Sequence, residues 1–137
     1  MDKVIIDTNF LMLPFSFKVD IFTEFQRILD KPKLFFLEES IIELEKINQV
    51  QKGKDKEYSK MALFYLKKAP ITILKTVKHL KEYPTLSKIR SVDDKIVYIA
   101  EKGGYLVATQ DKLLKEKLKK KDISIITLRQ KKYLIKI

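Results

Sequence analysis

The chain has 137 residues, of which 45% are hydrophobic, and this is enough to bury the core of one domain, which we expect to span residues 1–137. It contains no cysteine, which excludes disulfides, thiolate metal sites and a cysteine nucleophile, and is compatible with an intracellular, cytoplasmic protein. No apolar run approaches the roughly 18 residues of a membrane span, so no membrane segment is expected. The net charge of +11 favours a polyanionic partner, nucleic acid before a membrane surface.

The positive charge is concentrated in the second half of the chain. Residues 1–69 contain 12 Lys and Arg against 11 Asp and Glu, whereas residues 70–137 contain 17 against 7. The second half is therefore the better candidate for contacts with a polyanion. A lysine-rich surface of the kind found in heat-adapted proteins is the alternative explanation.

The first predicted element is a strand over Lys3–Ile6, because successive branched apolar residues are typical of a strand buried on both faces. The apolar segment Asn9–Phe17 is predicted as a helical turn followed by a loop. Asp20 then has the position of an N-cap for a helix over Ile21–Leu29.

A second buried strand is predicted over Leu34–Leu37. Ser40 followed three residues later by Glu43 is a capping-box pattern, which predicts a helix over Ile41–Val50. In that case Glu43 could be only the capping partner of Ser40.

The middle of the chain predicts a third helix, from Asp55 or Lys56 to Lys68, and a third strand over Ile71–Leu74. For Lys75–Arg90 we expect an exposed loop, with room for one turn of helix. The residues predicted to face the core from the helix are Met61, Leu63, Phe64 and Leu66.

The last third repeats the alternation of helix and strand. Ser91 is predicted to cap a helix, and the strand and helix that follow lead to a fifth strand and a short edge strand. The predicted ranges are Val92–Lys102, Tyr105–Ala108, Lys112–Lys121 (with Leu113, Leu114 and Leu118 inward), Ile123–Thr127 and Tyr133–Ile137. Such alternation predicts a three-layer α/β/α fold with a parallel sheet.

Acidic residues occur where predicted strands end or helices begin. They are Asp7, Glu43, Asp93, Asp94 and Asp111. Ligands and reacting groups gather at the carboxyl edge of parallel strands, so these carboxylates could face one another. Several carboxylates together require a counter-ion, and oxygen ligands favour Mg²⁺ or Mn²⁺, one or two ions, over zinc. Beside a basic surface, such ions are suited to hydrolysing a phosphodiester.

Each acid also has a purely structural alternative. Asp7 could accept hydrogen bonds from loop amides, and Asp111 could cap the helix that follows it. Asp93 and Asp94 could both be acids favoured by a helix N-terminus. The joint pattern is more specific than any one of its members.

The order and spacing of four motifs resemble the PIN domain family over essentially the whole chain. The motifs are Val4-Ile5-Ile6-Asp7-Thr8-Asn9, Glu43-Leu44-Glu45-Lys46, Asp93-Asp94-Lys95-Ile96 with Ala100, and Val107-Ala108-Thr109-Gln110-Asp111. PIN domains are metal-dependent ribonucleases, and the resemblance implies a five-stranded parallel sheet of order 3-2-1-4-5. Gln110 stands where the family frequently has Asn.

The resemblance also implies roles for individual residues. It makes Asp7, Glu43, Asp93 and Asp111 the catalytic, metal-binding quartet, with Asp94 as an assisting ligand. It implies that Thr8, Asn9 and Thr109 support the acids.

Within the family, the Glu-Leu-Glu-Lys and paired-Asp motifs resemble the group that cleaves pre-ribosomal RNA of the small subunit. VapC-type toxins share the same four acids, so both readings stay open. The implied partners are accordingly structured or ribosomal RNA, pre-ribosomal proteins or an antitoxin, and frequently a second copy of the chain, for which Asn9–Phe17 is a candidate face. A non-cleaving RNA-binding protein and a DNA-directed flap nuclease are further alternatives.

The candidate nucleic-acid contacts are basic residues of the second half. They are Lys112, Lys115 and Lys119 beyond Asp111, and Lys88 and Arg90 in the preceding loop. A solvated helix face explains the first group equally well. His79 is interpreted as a surface residue, not a general base.

Overall fold

The computed structural model describes residues 1–79 and 82–137, so positions 80 and 81 of the predicted basic loop lie outside the described residues. Within them a six-stranded sheet has the order β3-β2-β1-β4-β5-β6. The strands are β1 (Lys3–Ile6), β2 (Lys33–Leu37), β3 (Ile71–Leu74), β4 (Leu106–Ala108), β5 (Ile125–Arg129) and β6 (Tyr133–Lys136). The first five are parallel in the predicted order, and β6 adds an antiparallel edge strand.

Helices cover both faces of the sheet. They are α1 (Leu13–Ser16), α2 (Ile21–Ile28), α3 (Glu38–Val50), α4 (Lys54–Leu66), α5 (Thr76–His79), α6 (Val92–Gly103) and α7 (Lys112–Lys120), with 3₁₀ turns at Asn9–Met12 and Pro84–Lys88. None of these helices has the length and apolar character needed to cross a bilayer.

Alternate residues of each central strand enter two separate hydrophobic cores. Ile6 and Ala108 belong to the core beneath α2, α3 and α4, whereas Ile5 and Val107 belong to the core beneath α6 and α7. All four side chains are fully buried, as expected for strands between two helix layers. The predicted α/β/α fold is therefore confirmed, and it places the carboxyl ends of β1 and β4 side by side.

The predicted capping box at Ser40 is wrong. Helix α3 begins at Glu38, directly after β2, and Leu37 occupies the N-cap position. Ser40 lies inside the helix and is fully buried, with no hydrogen-bond partner for its hydroxyl among the described residues. Glu43 is consequently in the second turn of α3 and cannot serve as a capping partner.

The predicted inner faces of α4 and α7 are partly wrong. Met61, Phe64 and Leu113 are 46%, 59% and 68% exposed. On α4 the fully buried residues are instead the small Ser59 and Ala62. The positions of large apolar side chains therefore did not identify the buried faces of α4 and α7 correctly.

Candidate active site

Asp7 follows β1 and is held by the neighbouring strand. Its backbone N–H donates to the Ala108 carbonyl oxygen at 2.9 Å. Its side chain is almost fully buried: Oδ1 accepts from the Thr8 backbone N–H at 2.8 Å, and Oδ2 accepts from Thr109 Oγ1 at 2.9 Å. The fold thus fixes this carboxylate rigidly at the carboxyl edge of the sheet.

Burial raises the pKa of Asp7 to about 6, because the ionised form loses its hydration. The Thr109 and Thr8 hydrogen bonds act in the opposite direction, and the carboxylates of Asp93 and Asp111 raise the pKa further. Asp7 therefore stands within electrostatic reach of two acids that are distant from it in the sequence.

Glu43 approaches the same edge from α3. Its Oε1 accepts a hydrogen bond of 2.6 Å from Thr8 Oγ1. Thr8 thus contacts two of the predicted acids, through its backbone N–H to Asp7 and through its hydroxyl to Glu43.

The adjacent acids Asp93 and Asp94 point to different surroundings. Burial raises the pKa of Asp93, as do the nearby carboxylates of Asp111 and Glu43. Asp94 is half-exposed and accepts a hydrogen bond of 3.0 Å from Lys117 Nζ, which lowers its pKa. Only Asp93 faces the other acids.

Asp111 serves as a helix cap and lies at the same edge. Its Oδ1 accepts from the Leu114 N–H at 2.9 Å, which makes Asp111 the N-cap of α7. Its own N–H donates to Thr109 Oγ1, the hydroxyl that donates to Asp7. Thr109 therefore links the ends of β1 and β4 to the start of α7.

The four acids of the predicted quartet line one open cavity of about 370 Å³. We call it the carboxylate cavity, and Asp94 is not part of it. Its lining residues are Asp7, Thr8, Asn9, Glu43, Lys46, Ile47, Asp93 and Asp111. Lys46 was not among the predicted site residues, although its place three residues after Glu43 on the same helix is the signal that could have identified it.

The donors in the carboxylate cavity suit a hard cation. The candidate ligands are four carboxylates and the side-chain amide of Asn9. Oxygen donors of this kind favour Mg²⁺ or Mn²⁺. Within residues 1–79 and 82–137, however, no three acidic or histidine side chains are arranged to hold one ion together. Mg²⁺ commonly binds through one or two carboxylates and keeps several waters, and the cavity has room for such a partly hydrated ion.

A second polar cluster, which the sequence did not reveal, joins the helices that carry Glu43 and Asp93. Glu39 Oε2 accepts from Lys95 Nζ at 3.1 Å and from Thr76 Oγ1 at 2.7 Å. Less than a fifth of each charged side chain is exposed. The ion pair thus connects α3 to α6 beside the carboxylate cavity.

The predicted nucleic-acid contacts lie outside the carboxylate cavity. Lys115 Nζ donates to Thr127 Oγ1 at 2.8 Å, which ties α7 to β5, and burial lowers the pKa of this lysine. The other residues predicted to contact nucleic acid are exposed: Lys88, Arg90, Lys112 and Lys119.

The chain is similar to known proteins over most of its length. Residues 4–131 match a family model described as a PIN like domain. The chain is similar to Ribonuclease VapC4 of Methanocaldococcus jannaschii, with 35% identity over 97% of this chain and 95% of that protein. It is also similar to the solved structure of the PIN domain endonuclease Utp24, with a TM-score of 0.74, 26% identity and coverage of 96% of this chain and 88% of that one. The chain therefore belongs to the PIN domain family.

Proposed function

We propose that the protein is an endoribonuclease that depends on Mg²⁺ or Mn²⁺ and hydrolyses RNA in the carboxylate cavity. The observation that supports this most directly is the gathering of Asp7, Glu43, Asp93 and Asp111, from four separate segments, around one cavity. The similar proteins are named a ribonuclease and an endonuclease, which supports cleavage within RNA.

In this proposal, hydrogen bonds from neighbouring residues hold the acids in fixed orientations. Thr109 and the Thr8 N–H hold the Asp7 carboxylate in one orientation, and the Thr8 hydroxyl does the same for Glu43. Asp93 and Asp111 supply the other two carboxylates that line the cavity. One or two of the carboxylates of Asp7, Glu43, Asp93 and Asp111 would hold each partly hydrated divalent ion, which would supply a hydroxide near neutral pH and stabilise the leaving oxygen of the phosphodiester.

The exposed lysines of the second half would hold the RNA backbone without reading its sequence. Lys112 and Lys119 on α7, which begins at Asp111, are the first candidates, followed by Lys88 and Arg90. Asp111 caps α7, so RNA held by these lysines would lie beside the carboxylate cavity.

We propose that the activity serves the processing of ribosomal RNA, in the cytoplasm and with pre-ribosomal partners, because the Glu-Leu-Glu-Lys and paired-Asp motifs resemble those of the PIN domains that cleave pre-ribosomal RNA. A toxin ribonuclease held by an antitoxin is the second candidate, favoured by the 35% identity to VapC4. Expression in a growing host separates them. Growth arrest that depends on Asp7 supports the toxin, and unimpaired growth supports processing.

The enzymatic proposal is tested by incubating a structured RNA with the purified protein in Mg²⁺, in Mn²⁺ and in EDTA. We expect cleavage with either metal and none in EDTA. Asp7→Asn and Asp93→Asn should each lower the rate at least about 100-fold, as expected for loss of a metal ligand or its support. Cleavage that persists in EDTA, or in both variants, would refute the proposal, and RNA binding without cleavage would identify a binding protein.

A further inference from the structure

Lys46 is the one cation among the residues that line the carboxylate cavity. It lies on α3 one turn after Glu43, so that both side chains project from the same face of the helix. α3 is 13 residues long and is anchored in the core through Leu44, which is fully buried. The side chain of Lys46 therefore extends from a well-anchored helix at the edge of the cavity.

Three lysines of α6 and α7 are already engaged with other side chains. Lys95 pairs with Glu39, Lys117 pairs with Asp94, and Lys115 donates to Thr127. By contrast, the ammonium of Lys46 makes no hydrogen bond and no ion pair with any residue in the ranges 1–79 and 82–137. It stays unpaired although four carboxylates line the same cavity.

An unpaired ammonium beside carboxylates that can bind a cation is suited to binding an anionic group of the substrate. The carboxylates attract a divalent ion, but they repel the phosphate that must approach it. A lysine in the lining of the same cavity offsets that repulsion, and its compact ammonium binds phosphate oxygens as a point charge on a flexible stem.

We propose that Lys46 contacts a non-bridging oxygen of the RNA phosphate that enters the carboxylate cavity. This inference rests on the proposed ribonuclease function and adds to it a residue that the acidic quartet does not include. Lys46 then acts on the substrate directly, whereas the more distant lysines hold the flanking backbone.

The test compares Lys46→Met and Lys46→Arg with Lys52→Met. Lys52 is exposed, lies just beyond the end of α3 and does not line the cavity, so it is a matched control for the loss of one charge. All variants are made in an Asp93→Asn background, which retains RNA intact, and binding to a single-stranded RNA is measured over a range of salt concentrations.

We expect Lys46→Met to reduce the slope of log Kd against log salt by about 0.7, the loss of one phosphate contact, and to weaken binding about fourfold at 0.15 M salt. Lys46→Arg and Lys52→Met should keep the slope of the background protein. In the otherwise unmodified protein, Lys46→Met should lower kcat/KM for RNA, and Lys46→Arg should restore most of it.

An unchanged slope in Lys46→Met would overturn the inference. So would a change confined to Mn²⁺ affinity, because Lys46 would then be only a counter-ion of the carboxylates. If the unmodified protein cleaves RNA and Lys46→Met cleaves it equally well, the inference fails while the ribonuclease proposal stands. If the unmodified protein neither binds nor cleaves RNA, the ribonuclease proposal itself fails.

Discussion

The hydroxyl of Thr8 donates a 2.6 Å hydrogen bond to Oε1 of Glu43, across 35 residues of sequence. It connects the end of β1 to the second turn of α3, two elements whose relative position sets one side of the carboxylate cavity. Thr8 is buried, whereas Glu43 is exposed. The hydrogen bond therefore holds the exposed, flexible side chain of Glu43 against the buried Thr8 at the end of β1.

Replacing Thr8 by Val should release Glu43 at little cost to the fold. Valine keeps the shape but cannot donate, so we expect a loss of about 1 kcal/mol in unfolding free energy. Because orientation of a metal ligand is lost, RNA cleavage should fall about 10-fold to 100-fold. Single-turnover cleavage and thermal melting measure the two effects. Thr72→Val, on the exposed part of β3, is the control and should cleave RNA at the unmodified rate. Full activity in Thr8→Val would rule out the role of the Thr8 hydroxyl in orienting Glu43.

Asp7 should make the metal-free fold less stable as the pH rises. Its pKa is raised to about 6 from 3.8, so the folded protein binds this proton more tightly than the unfolded chain does. The stabilisation is present below about pH 4 and is lost as the pH rises towards 6, a change of about 3 kcal/mol in unfolding free energy.

Asp7→Asn should therefore stabilise the EDTA-treated protein at pH 7.5 by about 1–3 kcal/mol, with the difference shrinking below pH 5. Denaturant unfolding at the two pH values measures it. Asp20→Asn is the control: hydrogen bonds from Thr23 lower the pKa of Asp20, so this change should give no stabilisation at pH 7.5. A destabilised Asp7→Asn protein at neutral pH would contradict the reasoning.

The neighbours Asp93 and Asp94 should respond very differently to the same substitution. Asp93 lines the cavity, whereas Asp94 forms a surface ion pair with Lys117, of a kind that contributes little to stability. We expect Asp93→Asn to reduce cleavage at least about 100-fold, and Asp94→Asn to stay within about threefold of the unmodified rate, the scale of a lost surface ion pair. Equal losses in kinetic assays of both variants would place Asp94 among the metal ligands after all.

Two buried serines provide a prediction about stability alone. The Ser40 hydroxyl is fully buried without a partner among the described residues, whereas Ser59 Oγ donates to the Lys56 carbonyl oxygen at 2.8 Å. Ser40→Ala should raise unfolding free energy by about 1 kcal/mol, and Ser59→Ala should lower it by about as much. Thermal melts of the two variants test this pair, and a destabilised Ser40→Ala would show that the hydroxyl is satisfied in solution.

The sequence was sufficient for the parts of the fold that depend on local pattern. β1 and β3 have the predicted bounds, because short runs rich in branched apolar residues between turn residues favour strands. The positions of the acids follow from the same reasoning. Once the strands are parallel, Asp7 and Asp111 must lie at one edge.

Features that depend on packing between distant elements could not be predicted in this way. Ser40 has the local pattern of an N-cap, but α3 begins at Glu38, directly after β2, so Ser40 lies inside the helix and is buried. Phe64 has the hydrophobicity of a core residue but is 59% exposed, whereas the small Ala62 on the same helix is fully buried. The pairing of Lys117 with Asp94 and the place of Lys46 in the cavity lining likewise depend on contacts between elements that are distant in the sequence.

The most direct test of a metal-dependent site is anomalous scattering from crystals soaked in Mn²⁺, compared between the unmodified protein and Asp7→Asn. We predict one or two Mn²⁺ peaks within coordination distance of Asp7, Glu43, Asp93 or Asp111, with occupancy lost in Asp7→Asn. Mn²⁺ bound only elsewhere, or bound equally in both crystals, would contradict the assignment of this cavity as the catalytic centre.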